Sequence, residues 1–255
     1  LTLVAYNHGE YQFVIKYGHK CLSLEPELKI QEQILSYMGN AYRHLGNYES
    51  AIQFLDKGLE IAKQLDDKKS WVAGLNNLGL VHKFSGNLPL AIQFYEQSLT
   101  ILQEIQDQWG EEQVLKNLGD AYYTLSYYEK AIAHYQKSIQ IAESLKKPRN
   151  MIRLFKNMAT SYYALGDYGQ VIVCYEQRLK LAREIKDTRS QEQSLKNLGI
   201  ACEANGNYRQ AITYHKQRLE LARETQDSRS EKQTLASLKA AYYALGEYTA
   251  LMAFE

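Results

Sequence analysis

At 255 residues the chain exceeds an ordinary single domain, so its length points to two domains or one elongated array. Its 30 basic and 29 acidic residues leave a net charge of +1, which excludes a global field drawing it to nucleic acid or a membrane surface. The apolar share, 45%, is that of a folded soluble protein, and no run of roughly 18 apolar residues offers a transmembrane helix.

Three prolines and 21 tyrosines suit closely packed helices that leave hydroxyls near the surface. Cys21, Cys174 and Cys202 are odd in number and widely spaced. They argue for a reducing, cytoplasmic setting with buried or half-buried thiols, and against a disulfide framework or a metal site. No cofactor is expected. The chain opens on Leu1 without a signal peptide, so it reads as a fragment of something longer.

In chain order, the first element departs from the rest. Gly9-Glu10-Tyr11 aligns with Gly46-Asn47-Tyr48 at an offset of 37, Pro26 falls in the junction, and 1–8 supply only the second half of a helix. From there a 40-residue repeat takes over. Leu78-Gly79, Leu118-Gly119 and Leu198-Gly199 share one register with Met38-Gly39, and Met158-Ala159 and Leu238-Lys239 occupy it with substitutions. Seven residues on comes a turn residue (Gly46, Gly86, Ser126, Gly166, Gly206, Gly246). Then follow Tyr48, Leu88, Tyr128, Tyr168, Tyr208 and Tyr248, and three further the small Ala51, Ala91, Ala131 and Ala211.

Within these marks Leu75, Leu78, Gly79 and His82 follow i, i+3, i+4, i+7, as do Ala91, Ile92, Tyr95, Leu99 and Leu102 in the next segment, so both are amphipathic helices. The predicted helices are 28–45, 48–65, 68–85, 88–106, 108–125, 128–146, 148–165, 168–186, 188–205, 208–226 and 228–245. They pair as a first helix A and a second helix B. Gly-Asn and Gly-Asp pairs close A and cap B, while Asp67, Asp107, Asp187 and Asp227 cap each following A helix. Lys147 takes the cap position once, ahead of Pro148 at the first helical position, where proline is tolerated.

Leu-Gly-x-x-Tyr, a turn glycine and Tyr-x-x-Ala together resemble the tetratricopeptide repeat. The 40-residue period exceeds the usual 34, and its junction Leu-Ala-Arg-Glu-x-x-Asp-x-Arg-Ser stands at Leu181–Ser190 and again at Leu221–Ser230. That long form is similar to the Pins family of spindle-orientation adaptors and to bacterial arrays fused to caspase-like proteases or signalling ATPases. The expected fold is an all-α, right-handed superhelical solenoid of antiparallel helix pairs. It would be one array over 1–255, truncated at both ends: a partial repeat at 1–25, repeats near 28–66, 67–106, 107–146, 147–186 and 187–226, and a partial repeat at 227–255.

At 100° per residue, the A-helix face turned away from B carries one asparagine per repeat: Asn77, Asn117, Asn157 and Asn197. The resemblance places this face on the concave surface. Stacked helices lie about 8–10 Å apart and an extended chain rises about 3.3 Å per residue. One asparagine could therefore meet roughly every third residue of an extended ligand, offering its peptide units both donor and acceptor. Lys116, Lys156 and Lys196 each precede an asparagine, Arg153 lies nearby, and Tyr123 and Tyr163 add aromatic edges. Arg178 and Arg218 replace small B-helix residues (Gly58, Ser98, Ser138), and the Pins resemblance implies that an arginine there reaches a ligand carboxylate. Only Asp120 and Glu203 are acidic on these faces.

These features describe a non-catalytic protein–protein interaction scaffold whose groove takes an extended, acidic segment of a partner. The alternative is a ligand-sensing array that controls an effector domain outside the chain. His8, His19, His44, His82, His134 and His215 show no metal spacing, and no phosphate loop, nucleophile elbow or carboxylate pair is present to carry catalysis. The lysine column gives nucleic acid a lesser claim, because acids interleave with bases elsewhere.

Overall fold

In a computed structural model, Tyr6 and residues 8–247 are described, and the helix pieces expected at 1–5, 7 and 248–255 lie outside them. The chain forms two compact units, Leu1–Leu125 and Ser126–Glu255, with the division inside the 107–146 repeat. The first unit holds α1 (Tyr11–Leu22), α2 (Leu28–His44), α3 (Tyr48–Gln64), α4 (Lys68–Phe84), α5 (Leu88–Glu104) and α6 (Gln108–Thr124). The second holds α7 (Tyr128–Ser144), α8 (Pro148–Ala164), α9 (Tyr168–Glu184), α10 (Thr188–Ala204), α11 (Tyr208–Glu224) and α12 (Ser228–Leu245). Among the described residues there is no strand. Within each unit every helix packs against its sequence neighbours, which makes an all-α array of antiparallel pairs.

The periodic apolar positions explain the pairing. In the first unit Leu55, Leu75, Leu78, Tyr95, Leu102 and Leu118 are all almost fully enclosed. Each such side chain contributes about 1.5–3 kcal/mol on burial. Gly79 is there because Tyr95 needs the space: a Cβ on it would stand 2.5 Å from the ring's Cε1.

Caps fix the helix starts. The side chains of Asn47, Asp67, Asn87, Asp107, Asp167, Asp187, Asn207 and Asp227 each accept a backbone N–H from the first turn of the helix they precede. Lys147 makes no such bond, and α8 begins on Pro148 as expected.

The helix ends differ from expectation by one or two residues at most of the turns. Segments predicted to run to 106, 146, 186 and 226 stop at Glu104, Ser144, Glu184 and Glu224. The reason is a left-handed residue two positions after each of these helices: Gln106, Lys146, Lys186 and Gln226, all at φ between 52° and 56°. Asp66 and Ser126 share that conformation, and Gly46, Gly86, Gly166, Gly206 and Gly246 hold it at the remaining turns. A left-handed residue therefore falls every twenty positions from 46 to 246. Only about half of them are glycine, and each of the others costs roughly 1–2 kcal/mol.

Candidate functional site

The A helices of the second unit, α8 and α10, bring part of the expected site together. Thr160 and Tyr163 from α8 and Asn197 and Ile200 from α10 line a cavity of about 340 Å³, floored by Ala159, Val171 and Tyr175. Tyr175 comes from α9. Burial raises its phenol pKa. Tyr163 is held edge-to-face by Tyr168, ring centroids 5.4 Å apart.

The asparagines are less open than their spacing implies. Asn197 lines the cavity, and its Nδ2 donates to the Gln193 carbonyl one turn back at 2.8 Å, which leaves its oxygen without a protein donor. Asn77 Nδ2 donates, at 3.4 Å, to Ser36 Oγ of the preceding A helix. Asn117 and Asn157 hold the same register, half-buried on α6 and α8.

Charge divides between the units. On α8 and α10, Arg153, Lys156 and Lys196 are exposed, and none has a carboxylate partner among the described residues. Glu203, the acid on this face, is bound to His215 Nε2 at 2.9 Å. In the first unit Lys83, Lys116 and Arg43 are engaged. Lys116 Nζ lies 2.8 Å and Lys83 Nζ 3.5 Å from one Asp120 oxygen. Arg43 bonds His44 at 3.0 Å and stacks over Phe84. Tyr123 lies half-buried near this network on α6.

Arg178 and Arg218 lie elsewhere, which corrects the expectation that they reach outward. Arg178 is 4% exposed, and its guanidinium donates to the carbonyls of Ile152 and Ser190, to both hydroxyls of Ser190 and Ser194, and to Gln193. Arg218, 2% exposed, makes two bonds to Glu192 and one to Gln233. Both tie A helices to the B helix between them.

The thiols are as expected: Cys174 and Cys202 are buried, and burial pushes them up to about 12 and about 11, which suppresses the thiolate. No helix among the described residues is long and apolar enough to cross a membrane.

No curated protein matches the chain in sequence. Among similar solved structures is a Signal Transduction ATPase with Numerous Domains with a tetratricopeptide repeat sensor, from Pyrococcus horikoshii. It has a TM-score of 0.80 and 22% identity over 96% of this chain, which spans only 38% of that protein. The apo form of RapI matches at 0.78, with 14% identity over 99% of this chain and 72% of its own. A Rap protein complexed with Competence and Sporulation Factor matches at 0.61, with 14% identity over 96% of this chain and 74% of its own. Tetratricopeptide repeat family models match residues 31–104, 110–184 and 194–229. With helix pairs, small-residue contacts and repeat register all in agreement, the chain belongs to the tetratricopeptide repeat family.

Proposed function

We propose that the chain is a protein-interaction array whose A-helix face in the second unit binds an extended, acidic segment of a partner protein. The observation that carries this is the set of three exposed, unpaired cations, Arg153, Lys156 and Lys196, on α8 and α10, the two helices that supply Thr160, Tyr163 and Asn197 to one cavity. The cations steer and hold carboxylates, and the Asn197 oxygen accepts a ligand N–H. Asn157 continues the same stripe on α8, with Asn77, Asn117, Lys116 and Tyr123 as its counterparts in the first unit. Arg178 and Arg218 brace the scaffold and take no part in binding. The chain is read as one repeat array with no catalytic step.

A second reading, a sensor array that governs an effector domain, is favoured by the likeness to the Pyrococcus protein, whose repeats are described as a sensor. The complex of a Rap protein with Competence and Sporulation Factor supports ligand capture by such an array.

The test is a titration with a fluorescein-labelled Glu-Ala repeat peptide across a salt series, with a Lys-Ala repeat as control. The Glu-Ala peptide should bind, weaken as salt rises, and be lost in the double variant Lys156→Glu, Lys196→Glu. Equal binding of both peptides, or binding indifferent to salt and to the double variant, removes this face from consideration.

A further inference from the structure

We infer that Asp120 is a specificity-determining residue: its carboxylate occupies the lysines of the first unit's A-helix face and closes that face to acidic segments. The inference rests on the reading above and assigns the selectivity within it.

The repeat supplies the comparison. The register of Asp120 holds Asn40, Leu80, Thr160, Ile200 and Ala240 elsewhere, so only one repeat carries an acid there. Four residues earlier stand Lys116, Lys156 and Lys196, one helical turn away on the same face. Where the later residue is Thr160 or Ile200, the lysine is exposed and unpaired. Where it is Asp120, the lysine is pulled down to 21% exposure and lies 2.8 Å from the carboxylate. Lys83 of α4 converges on the same oxygen, 24% exposed.

Physics favours the resident carboxylate over one arriving on a ligand. Asp120 is tethered four residues from Lys116, so its effective concentration exceeds that of a free peptide. The three groups are only about a fifth exposed, where a charge pair is stronger than in open water. An incoming carboxylate would have to displace Asp120 from both Lys116 and Lys83. Arg43 offers no substitute, being already engaged with His44 and Phe84.

The experiment uses the whole chain, labelled with ¹⁵N, and the Glu-Ala repeat peptide. In the wild type, amide shifts should follow α8 and α10 and spare α4 and α6. In Asp120→Asn, which keeps the side-chain shape, and in Asp120→Thr, which copies Thr160, a second set should move at Asn77, Lys83, Lys116 and Asn117. Affinity there should rise at least about tenfold over wild type. The reciprocal variant Thr160→Asp places an acid four residues after Lys156 and should weaken binding at α8 by a similar factor, which gives a reading even if Asp120 variants fold poorly. The inference is overturned if the wild type already binds at α4 and α6. It is equally overturned if Asp120→Asn adds no shifts there while α8 and α10 respond normally, or if Thr160→Asp binds as wild type. Silence at α8 and α10 in the wild type removes the underlying reading as well.

Discussion

The phenol of Tyr95 lies across Gly79, Cε1, Cδ1 and Cζ all within 2.9 Å of where a β-carbon would stand. The B helix thus passes a side chain through the gap that the A helix leaves by having none, and His215 does the same across Gly199.

Gly79→Ala should therefore destabilise the chain by about 1–3 kcal/mol, the usual cost of overpacking a fitted core. Urea denaturation in a double-mutant cycle with Tyr95→Leu measures it. The coupling between the two sites should differ clearly from zero, and additive losses would show that the ring contact is not what the glycine serves.

Leu118 is fully enclosed between helices while Gln108, at the start of the same helix, is exposed. Leu118→Asp should cost about 3–5 kcal/mol by burying an uncompensated charge, and Gln108→Asp should cost almost nothing. Thermal melting of the two variants side by side checks the orientation of α6.

Arg178→Met removes a buried cation together with the donors that satisfy two backbone carbonyls and the hydroxyls of Ser190 and Ser194. A loss of about 1.5–3 kcal/mol is expected, from hydrogen bonds made by a charged group. Binding of the acidic peptide at a temperature where the variant stays folded should be unchanged. A selective loss of binding with normal stability would return Arg178 to the ligand site.

Acid stability should depend on the capping aspartates. The Asp187 carboxyl lies below its ordinary value because the Ser190 hydroxyl and backbone N–H both bond it; Lys29 and the Ser70 backbone do the same for Asp67. A depressed folded-state pKa means the stabilisation is complete above the unfolded value near 4 and is lost as pH falls through the lower folded value. Asp187→Ala should cost about 1 kcal/mol at pH 7, with the gap to wild type narrowing below pH 4. Urea midpoints at pH 7, 4 and 3 record it, and a gap that widened in acid would contradict the assignment.

Much of the fold was legible because one pattern recurs at a fixed interval: the Leu-Gly pairs, the turn residues and the Asn and Asp caps place most of the helix starts. Helix ends were less legible, because Gln106, Lys146, Lys186 and Gln226 take a left-handed conformation that their side chains do not advertise. At the site, spacing alone put Lys156, Lys196, Arg153, Tyr163 and Asn197 on one face; Tyr163 and Asn197 line one cavity, and the three cations are exposed on the same two helices. Pairing of Lys116 with Asp120 was readable as an i, i+4 contact, but the arrival of Lys83 from the previous A helix was not. Arg178 and Arg218 misled because their registers hold small residues in other repeats. The serines, glutamine and glutamate that enclose them lie 12 to 26 residues away in sequence.

The twenty-residue interval between left-handed residues has a consequence for how such a chain can change. Removing 147–186 would leave every remaining cap and turn in phase, because forty residues are two full intervals. Removing one residue inside α9 would instead rotate all that follows in that helix by about 100° and carry the buried stripe off its neighbours. Length here is quantised: the chain tolerates gain or loss of a whole frame, and a single-residue slip is felt through the rest of its helix.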